Sequence, residues 1–164
     1  MNDTPETVTV LKVPTGLQIP PAMQEAQEHL LGRLSSDGST LANNMQASIN
    51  SQATALIFAV TGAIPQSIED WQAIPTKNYA GTLTLQIMQP TTRTTAHIDD
   101  VVVDTGHEGQ GIGKKLMAKA IEIGRKNGVT RFDLTSQPDK IAAQVLYEKV
   151  GFKKRETNNW RLEA

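Results

Sequence analysis

The sequence predicts a mixed α/β domain, and three observations indicate it. Strand-like runs rich in β-branched residues are interspersed with amphipathic helix-like segments, which excludes a helical bundle and a β-sandwich. The chain has 164 residues, enough for one ordinary domain over 1–164. Hydrophobic residues make up 38% of it and charges are spread along its length, so we expect a packed core rather than disorder.

The predicted elements follow the order strand, two helices, three strands, helix, strand, helix and a final strand. The strand-like runs are Val8–Val13, Thr54–Val60, Gly81–Met88, Thr94–Asp104, Arg131–Thr135 and a last one around Asn159–Leu162. The helix-like patterns lie at about Pro21–Leu34, Leu41–Gln52, Ile112–Lys126 and Lys140–Val150. Proline at 21 suits a first helical turn, because no amide donor is needed there. The segment Ile64–Asn78 has two prolines and no period, which predicts a long loop.

The third helix has the most regular pattern. One face carries its apolar and small residues, namely Ile112, Leu116, Met117, Ala120, Ile121 and Gly124. Gly128 is placed to end this helix in the left-handed conformation.

Composition narrows the class of partner. The net charge of −1 and the aromatic fraction of 4% argue against a nucleic-acid partner, which would need a basic surface and stacking rings. The absence of cysteine excludes disulfides and thiolate metal sites. The N-terminal residues resemble no signal peptide, and no apolar run approaches the ~20 residues of a membrane span. We therefore expect a cytoplasmic protein without a membrane partner.

A glycine-rich junction is the most informative segment. The run Val101–Asp104 leads into glycines at 106, 109, 111 and 113, and then directly into the third helix. Such a junction is typical of anion binding, because unpaired amides and the positive end of the helix dipole meet a phosphate there. The spacing matches neither the dinucleotide-binding fingerprint nor the P-loop. A glycine turn without a ligand remains the alternative.

Two motifs in this half of the chain resemble the GNAT acetyltransferase superfamily. Glu108–Gly113 has the layout of its [RQ]-x-x-G-x-[GA] motif, and Ala142–Phe152 is similar to its A-x-x-[LF]-Y-x-x-x-G-F helix. The resemblance covers roughly residues 94–163. It implies a mixed central sheet of about six to seven strands, flanked by about four helices.

The resemblance also implies acetyl-CoA as donor and a set of binding residues. Backbone of the strand at Val101 and Val103 would bind the pantetheine and acetyl group, and Tyr147 would protonate the departing thiolate. The implied cofactor residues are Val101, Val102, Val103, Glu108, Gly109, Gln110, Gly111, Ile112, Gly113 and Lys114. Two residues depart from the family pattern: Glu108 replaces arginine or glutamine, and Lys140 replaces an asparagine that often contacts pantetheine.

The candidate residues for binding the acceptor amine are two carboxylates on the strand before the glycine loop. Asp99 or Asp100 would attract a cationic amine and take its proton, or would simply pair within the sheet. Strict alternation would place Asp100 on the same face as Ile98 and Val102. His97 is a further candidate base, although a strand histidine is more often simply exposed or hydrogen-bonded.

Remaining signals are weaker. Trp71 and Glu69 would line an acceptor pocket or serve packing, and Trp160 would lie in the core or at a homodimer contact. No histidine has a partner at ligand spacing, so we expect no metal. The sequence thus predicts an acetyl-CoA-dependent N-acetyltransferase acting on a primary amine of a small molecule or protein. The alternative is a non-catalytic CoA-binding sensor or interaction module of the same fold.

Overall fold

The computed structural model describes residues 7–34, 41–158 and 160–162. The strands are β1 (Val8–Lys12), β2 (Thr54–Thr61), β3 (Tyr79–Met88), β4 (Thr95–Val103) and β5 (Arg131–Leu134). The α-helices are α1 (Pro21–Leu31), α2 (Leu41–Asn50), α3 (Ile68–Ala73), α4 (Ile112–Lys126) and α5 (Ile141–Val150). Short 3-10 turns precede β3 and follow β4. Among the described helices, none combines the length and apolar character that crossing a membrane requires.

The strands form one sheet in the order β1-β2-β3-β4-β5. The first four pair antiparallel, and β5 runs parallel to β4, as a strand reached through the α4 crossover does. The mixed α/β class is therefore confirmed. The described residues contain five strands, fewer than the six to seven expected.

The predicted final strand accounts for part of this difference. Asn159 lies outside the described residues, and residues 160–162 are not in a strand. Trp160 is 91% exposed, so its expected place in the core is wrong, whereas a homodimer contact stays a prediction. The residues from Lys153 to Thr157 are polar and exposed, and a segment without an apolar face gains little from joining a sheet.

The sheet separates two hydrophobic clusters, one on each face. Helices α1 and α2 cover the first face, where Met23, Leu30 and Phe58 are fully buried. Helix α4 covers the second face, and the alternate residues of β2 and β3 point into that cluster. This alternation follows from the two-residue repeat of a strand. The buried residues of α4 are Ile112, Leu116, Met117, Ala120 and Gly124, which confirms the predicted face except at Ile121. Ile121 is only half-buried, and Ile123 packs against the cluster instead.

The segment predicted as a loop contains a helix. Ser67 caps α3 by accepting a hydrogen bond from Asp70 N at 3.1 Å, and the Asp70 carboxylate accepts from Ser67 N at 3.1 Å. This reciprocal capping box stabilises a short helix, and Trp71 anchors it in the first cluster with 4% exposure. The prediction of a loop throughout Ile64–Asn78 is therefore wrong. The serine and aspartate three residues apart were the signal in the sequence.

Candidate functional site

The parallel strands β4 and β5 separate where the predicted cofactor residues lie. Their last paired residues are Ile98 and Leu134, whereas β4 continues to Val103 and remains paired with β3. Within the described chain, the β5-facing edge of β4 is therefore unpaired beyond Ile98. Backbone N–H and C=O groups on such an edge can bind an extended ligand as an added strand would. Val101, Val102 and Val103 all lie along this stretch.

A β-bulge interrupts β4 beside the opening. Asp99 and Val102 pair with residues only two apart on β3, so Asp100 and Val101 together oppose one residue. Asp100 has a φ of 55°, a left-handed conformation that aspartate tolerates better than most side chains. The expected strict alternation is wrong. Ile98 packs in the cluster on the second face of the sheet, called the α4 cluster, whereas Val102 packs in the cluster on the first face, called the α1 cluster. The extra residue shifts which side chain faces which side of the sheet.

The two aspartates predicted to act on the acceptor have different surroundings. The Asp100 carboxylate accepts a hydrogen bond from Thr84 Oγ1 at 3.1 Å. Burial raises the pKa of Asp100; the Thr84 bond opposes this increase, and the nearby charge of Asp99 adds to it. Asp99 instead lies 3.4 Å from His97 Nε2. Only Asp100 of this pair lines the cleft described next.

A cleft of about 850 Å³ lies between α1, α2 and the first face of the sheet. Its polar lining includes Gln27 and Glu28 from α1, Asn44 and Ser48 from α2, and Thr84 and Asp100 from the sheet. Trp71 is in the core and Glu69 is exposed on α3, and neither side chain lines this cleft. The bulge thus places an acidic side chain in a polar cleft, next to the unpaired edge of β4.

The glycine loop forms an open cradle at the start of α4. Gly109 and Gly111 both have φ of +75°, and a Cβ added at either would meet no atom within 4 Å. The first helical hydrogen bond joins Lys115 N to Gly111 O at 3.1 Å, so the amides of residues 112–114 precede the helical ladder. Gln110 and Lys114 are exposed beside them. Free amides, the helix dipole and open space together fit a diphosphate group.

Helix α5 packs against the start of α4 and completes this side of the site. A Cβ added at Gly113 would lie 2.9 Å from Leu146 Cδ2, so the absence of a side chain there lets the two helices pack closely without displacing Leu146. Tyr147 follows on α5 in the same apolar cluster as Val101 and Val103. Burial raises the pKa of its hydroxyl, which keeps it protonated at neutral pH. Lys140 is exposed at the N-cap of α5 and makes no capping bond.

Glu108 is held by an arginine that the sequence did not predict. Arg33, in the turn after α1, donates from Nη2 to Glu108 Oε1 at 2.8 Å and from Nη1 to the Val103 carbonyl. The guanidinium therefore joins α1 to both the end of β4 and the glycine loop. Glu108 does not stand as an uncompensated negative charge beside the cradle, because Arg33 neutralises it.

A carboxylate–histidine contact ties the same helix to the start of the loop. Asp104 Oδ1 lies 3.1 Å from His29 Nε2, and Asp104 Oδ2 lies 3.5 Å from His107 Nδ1. Burial opposes ionisation of Asp104, but hydrogen bonds from His29 and the Gly106 amide, together with the nearby His107, outweigh it and lower its pKa. Helix α1 thus lines the cleft on one side and fixes the loop after β4 on the other.

Several residues of the site carried no sequence signal of their own. Gln27 and Thr84 join the cleft, and Arg33 joins the loop, only because distant segments meet in the fold. The described residues hold no group of three or more histidine, cysteine, aspartate or glutamate side chains arranged to bind a metal.

Comparison with known proteins gives a family. The sequence matches the Acetyltransferase (GNAT) family over residues 62–152, more than half of the chain. It is 36% identical over 85 residues to a glucosamine 6-phosphate N-acetyltransferase of Trypanosoma brucei brucei, an alignment that covers 50% of this chain and 56% of the relative. It is 31% identical over 86 residues to human N-acetyltransferase 8B, covering 51% of this chain and 38% of the relative. The chain thus spans about half the length, or less, of these curated relatives.

Solved structures extend the similarity to almost the whole chain. A Trypanosoma brucei acetyltransferase superposes with a TM-score of 0.69 at 25% identity, covering 96% of this chain and all of that one. An aminoglycoside acetyltransferase from an uncultured soil sample, solved with sisomicin, gives a TM-score of 0.71 at 15% identity, with 96% of each chain covered; at that identity it shows the fold alone. The chain belongs to the GNAT acetyltransferase family.

Proposed function

We propose that this protein is an acetyl-CoA-dependent N-acetyltransferase that acylates a primary amine. One observation carries the proposal: the bulge at Asp100 and Val101 brings a half-buried carboxylate and an unpaired strand edge side by side. The edge and the glycine cradle suit the donor, and the carboxylate suits a cationic acceptor. Acyl transfer needs donor and acceptor held together in this way.

Donor binding is assigned to the backbone of β4 and of the loop. The main chain of Val101 and Val103 would bind the pantetheine arm. The side chain of Val102 holds this part of the strand in position by packing in the α1 cluster. Amides from Gly109 to Lys114 would hold the diphosphate. When bound, acetyl-CoA supplies an activated acetyl group as a thioester.

The proton transfers are assigned to two side chains. Asp100 takes a proton from the acceptor ammonium, directly or through water, so that the neutral nitrogen can form the new C–N bond. Tyr147 donates its hydroxyl proton to the sulfur as the C–S bond breaks. The nitrogen loses its second proton to solvent as the amide forms, which leaves an amide and a free thiol. Asp100 then releases its proton to solvent, and Tyr147 recovers one from solvent. Asp99, paired with His97, contributes negative charge beside Asp100 rather than contact with the acceptor.

The test combines donor binding with turnover. Acetyl-CoA at 100 times its Kd should raise the free energy of unfolding by about 2.7 kcal/mol, whereas NAD should have no effect. Tyr147→Phe should lower turnover by roughly 100-fold, the usual scale for a general acid, with acetyl-CoA affinity little changed. Binding of acetyl-CoA without turnover of any amine would instead favour a non-catalytic CoA-binding module.

A further inference from the structure

Two charged side chains line the cleft, and both are carboxylates. Glu28 and Asp100 lie among its lining residues, and no lysine, arginine or histidine does so in the described part of the chain. The sequence explains this bias, because no basic residue occurs from position 34 to position 76. That stretch supplies α2 and β2, two of the cleft's walls. The cleft therefore attracts cations and repels anions.

An unsatisfied acceptor atom reinforces this bias. Gln27 lines the cleft from α1 with only 3% of its surface exposed, and its Oε1 atom has no hydrogen-bond donor among the described residues. A buried carbonyl oxygen without a donor is costly. This oxygen has almost no accessible surface, so a ligand rich in N–H or O–H groups would relieve the cost by drawing the Gln27 amide toward the cleft, whereas another acceptor would not.

We propose, on the basis of the function proposed above, that the acceptor is a multiply charged amine without a phosphate group. One ammonium would be the nitrogen acylated beside Asp100, and a second would be recognised by Glu28. Hydroxyl or further amino groups would be bound by the neutral side chains of α1 and α2. A phosphorylated amino sugar fits poorly, because its phosphate would face two carboxylates with no cation among the described lining residues to compensate it.

The test measures binding and turnover with two ligands of opposite charge. Sisomicin, which carries several amines, and glucosamine 6-phosphate are titrated calorimetrically into the protein saturated with CoA, at low and high salt. Release of free thiol is then followed with acetyl-CoA and the same two amines. Glu28→Gln removes one charge from the cleft. Glu25→Gln is the matched control, since Glu25 lies on the same helix but accepts a hydrogen bond from Thr76 at 2.8 Å and does not line the cleft.

We expect sisomicin to bind at least about tenfold more tightly than glucosamine 6-phosphate, with the preference shrinking at high salt. Glu28→Gln should weaken sisomicin several-fold, and Glu25→Gln should not. Equal or tighter binding of the phosphorylated sugar, or binding of neither ligand, would overturn the proposed acceptor class. Thiol release from glucosamine 6-phosphate alone would overturn it as well, while leaving the acetyltransferase function intact. Tight sisomicin binding without thiol release would support the class and count against the function.

Discussion

The pairing of Arg33 with Glu108 predicts a pattern of charge effects on acetyl-CoA affinity. Glu108 precedes Gly109 of the glycine loop, the proposed diphosphate site, and the Arg33–Glu108 pair carries no net charge toward it. Glu108→Gln leaves the arginine unopposed and should tighten acetyl-CoA binding. Arg33→Gln leaves the carboxylate unopposed and should weaken it. The double variant removes both charges and should return affinity close to that of the original protein.

The size of these effects follows from exposure. The side chains of Arg33 and Glu108 are 34% and 57% exposed, so solvent screens each charge and a single change should be worth at most about 1 kcal/mol. This free energy corresponds to about a fivefold change in Kd. Raising the salt concentration should reduce it further. Loss of the Arg33 bond to the Val103 carbonyl adds to the weakening in Arg33→Gln alone.

Isothermal titration of acetyl-CoA into the three variants at two salt concentrations measures the pattern. Lys119→Gln is a suitable control, because it removes a positive charge from α4 that pairs with Glu122 at 3.1 Å, away from the loop. If Glu108→Gln and Arg33→Gln shift affinity in the same direction, the charge-compensation argument is refuted. The pair would then act only by holding α1 against the loop.

Three further substitutions test the site and the core. Gly111→Ala should lower the free energy of unfolding by about 1–2 kcal/mol in urea titrations, because φ is +75° there and a left-handed alanine is strained. Asp100→Asn should unfold at a higher temperature than the original protein at neutral pH. Because burial raises the pKa of Asp100, the protonated carboxyl contributes stability that is fully present below the ordinary pKa of 3.8 and is lost as pH rises through the folded pKa. The advantage of asparagine should therefore vanish in acid. Gly124→Ala should lower the free energy of unfolding by about 1–3 kcal/mol, since the alanine Cβ would lie 2.4 Å from the Phe132 ring. Circular dichroism melts would check this prediction, with Ala118→Gly as the control at an exposed position of the same helix.

Residue patterns within one segment were readable from the sequence. The buried face of α4, the left-handed end at Gly128 and the glycine cradle each depend on neighbours along the chain. Their physical causes, a 3.6-residue period and glycine's freedom at positive φ, act locally. The sequence was therefore sufficient to predict the conformation of the glycine loop.

Features that depend on distant segments were not readable. The contact of Arg33 with Glu108 joins residues 75 positions apart, and nothing in either local sequence marks it. The bulge at Asp100 arises from the register between β3 and β4, and aspartate does not signal a left-handed residue as glycine would. The place of Asp100 in the cleft follows from that bulge, so strict alternation along the strand could not give it.

Acetyl transfer can be measured by mass spectrometry of both products. The protein is incubated with acetyl-CoA and sisomicin, and acetylated amine and free CoA are quantified against time for the original protein, Asp100→Asn and Asp99→Asn. We predict equal amounts of the two products from the original protein, a rate lower by roughly 100-fold in Asp100→Asn, and a much smaller loss in Asp99→Asn. No acetylated amine despite bound acetyl-CoA, or equal losses in the two variants, would contradict the role assigned to the bulge.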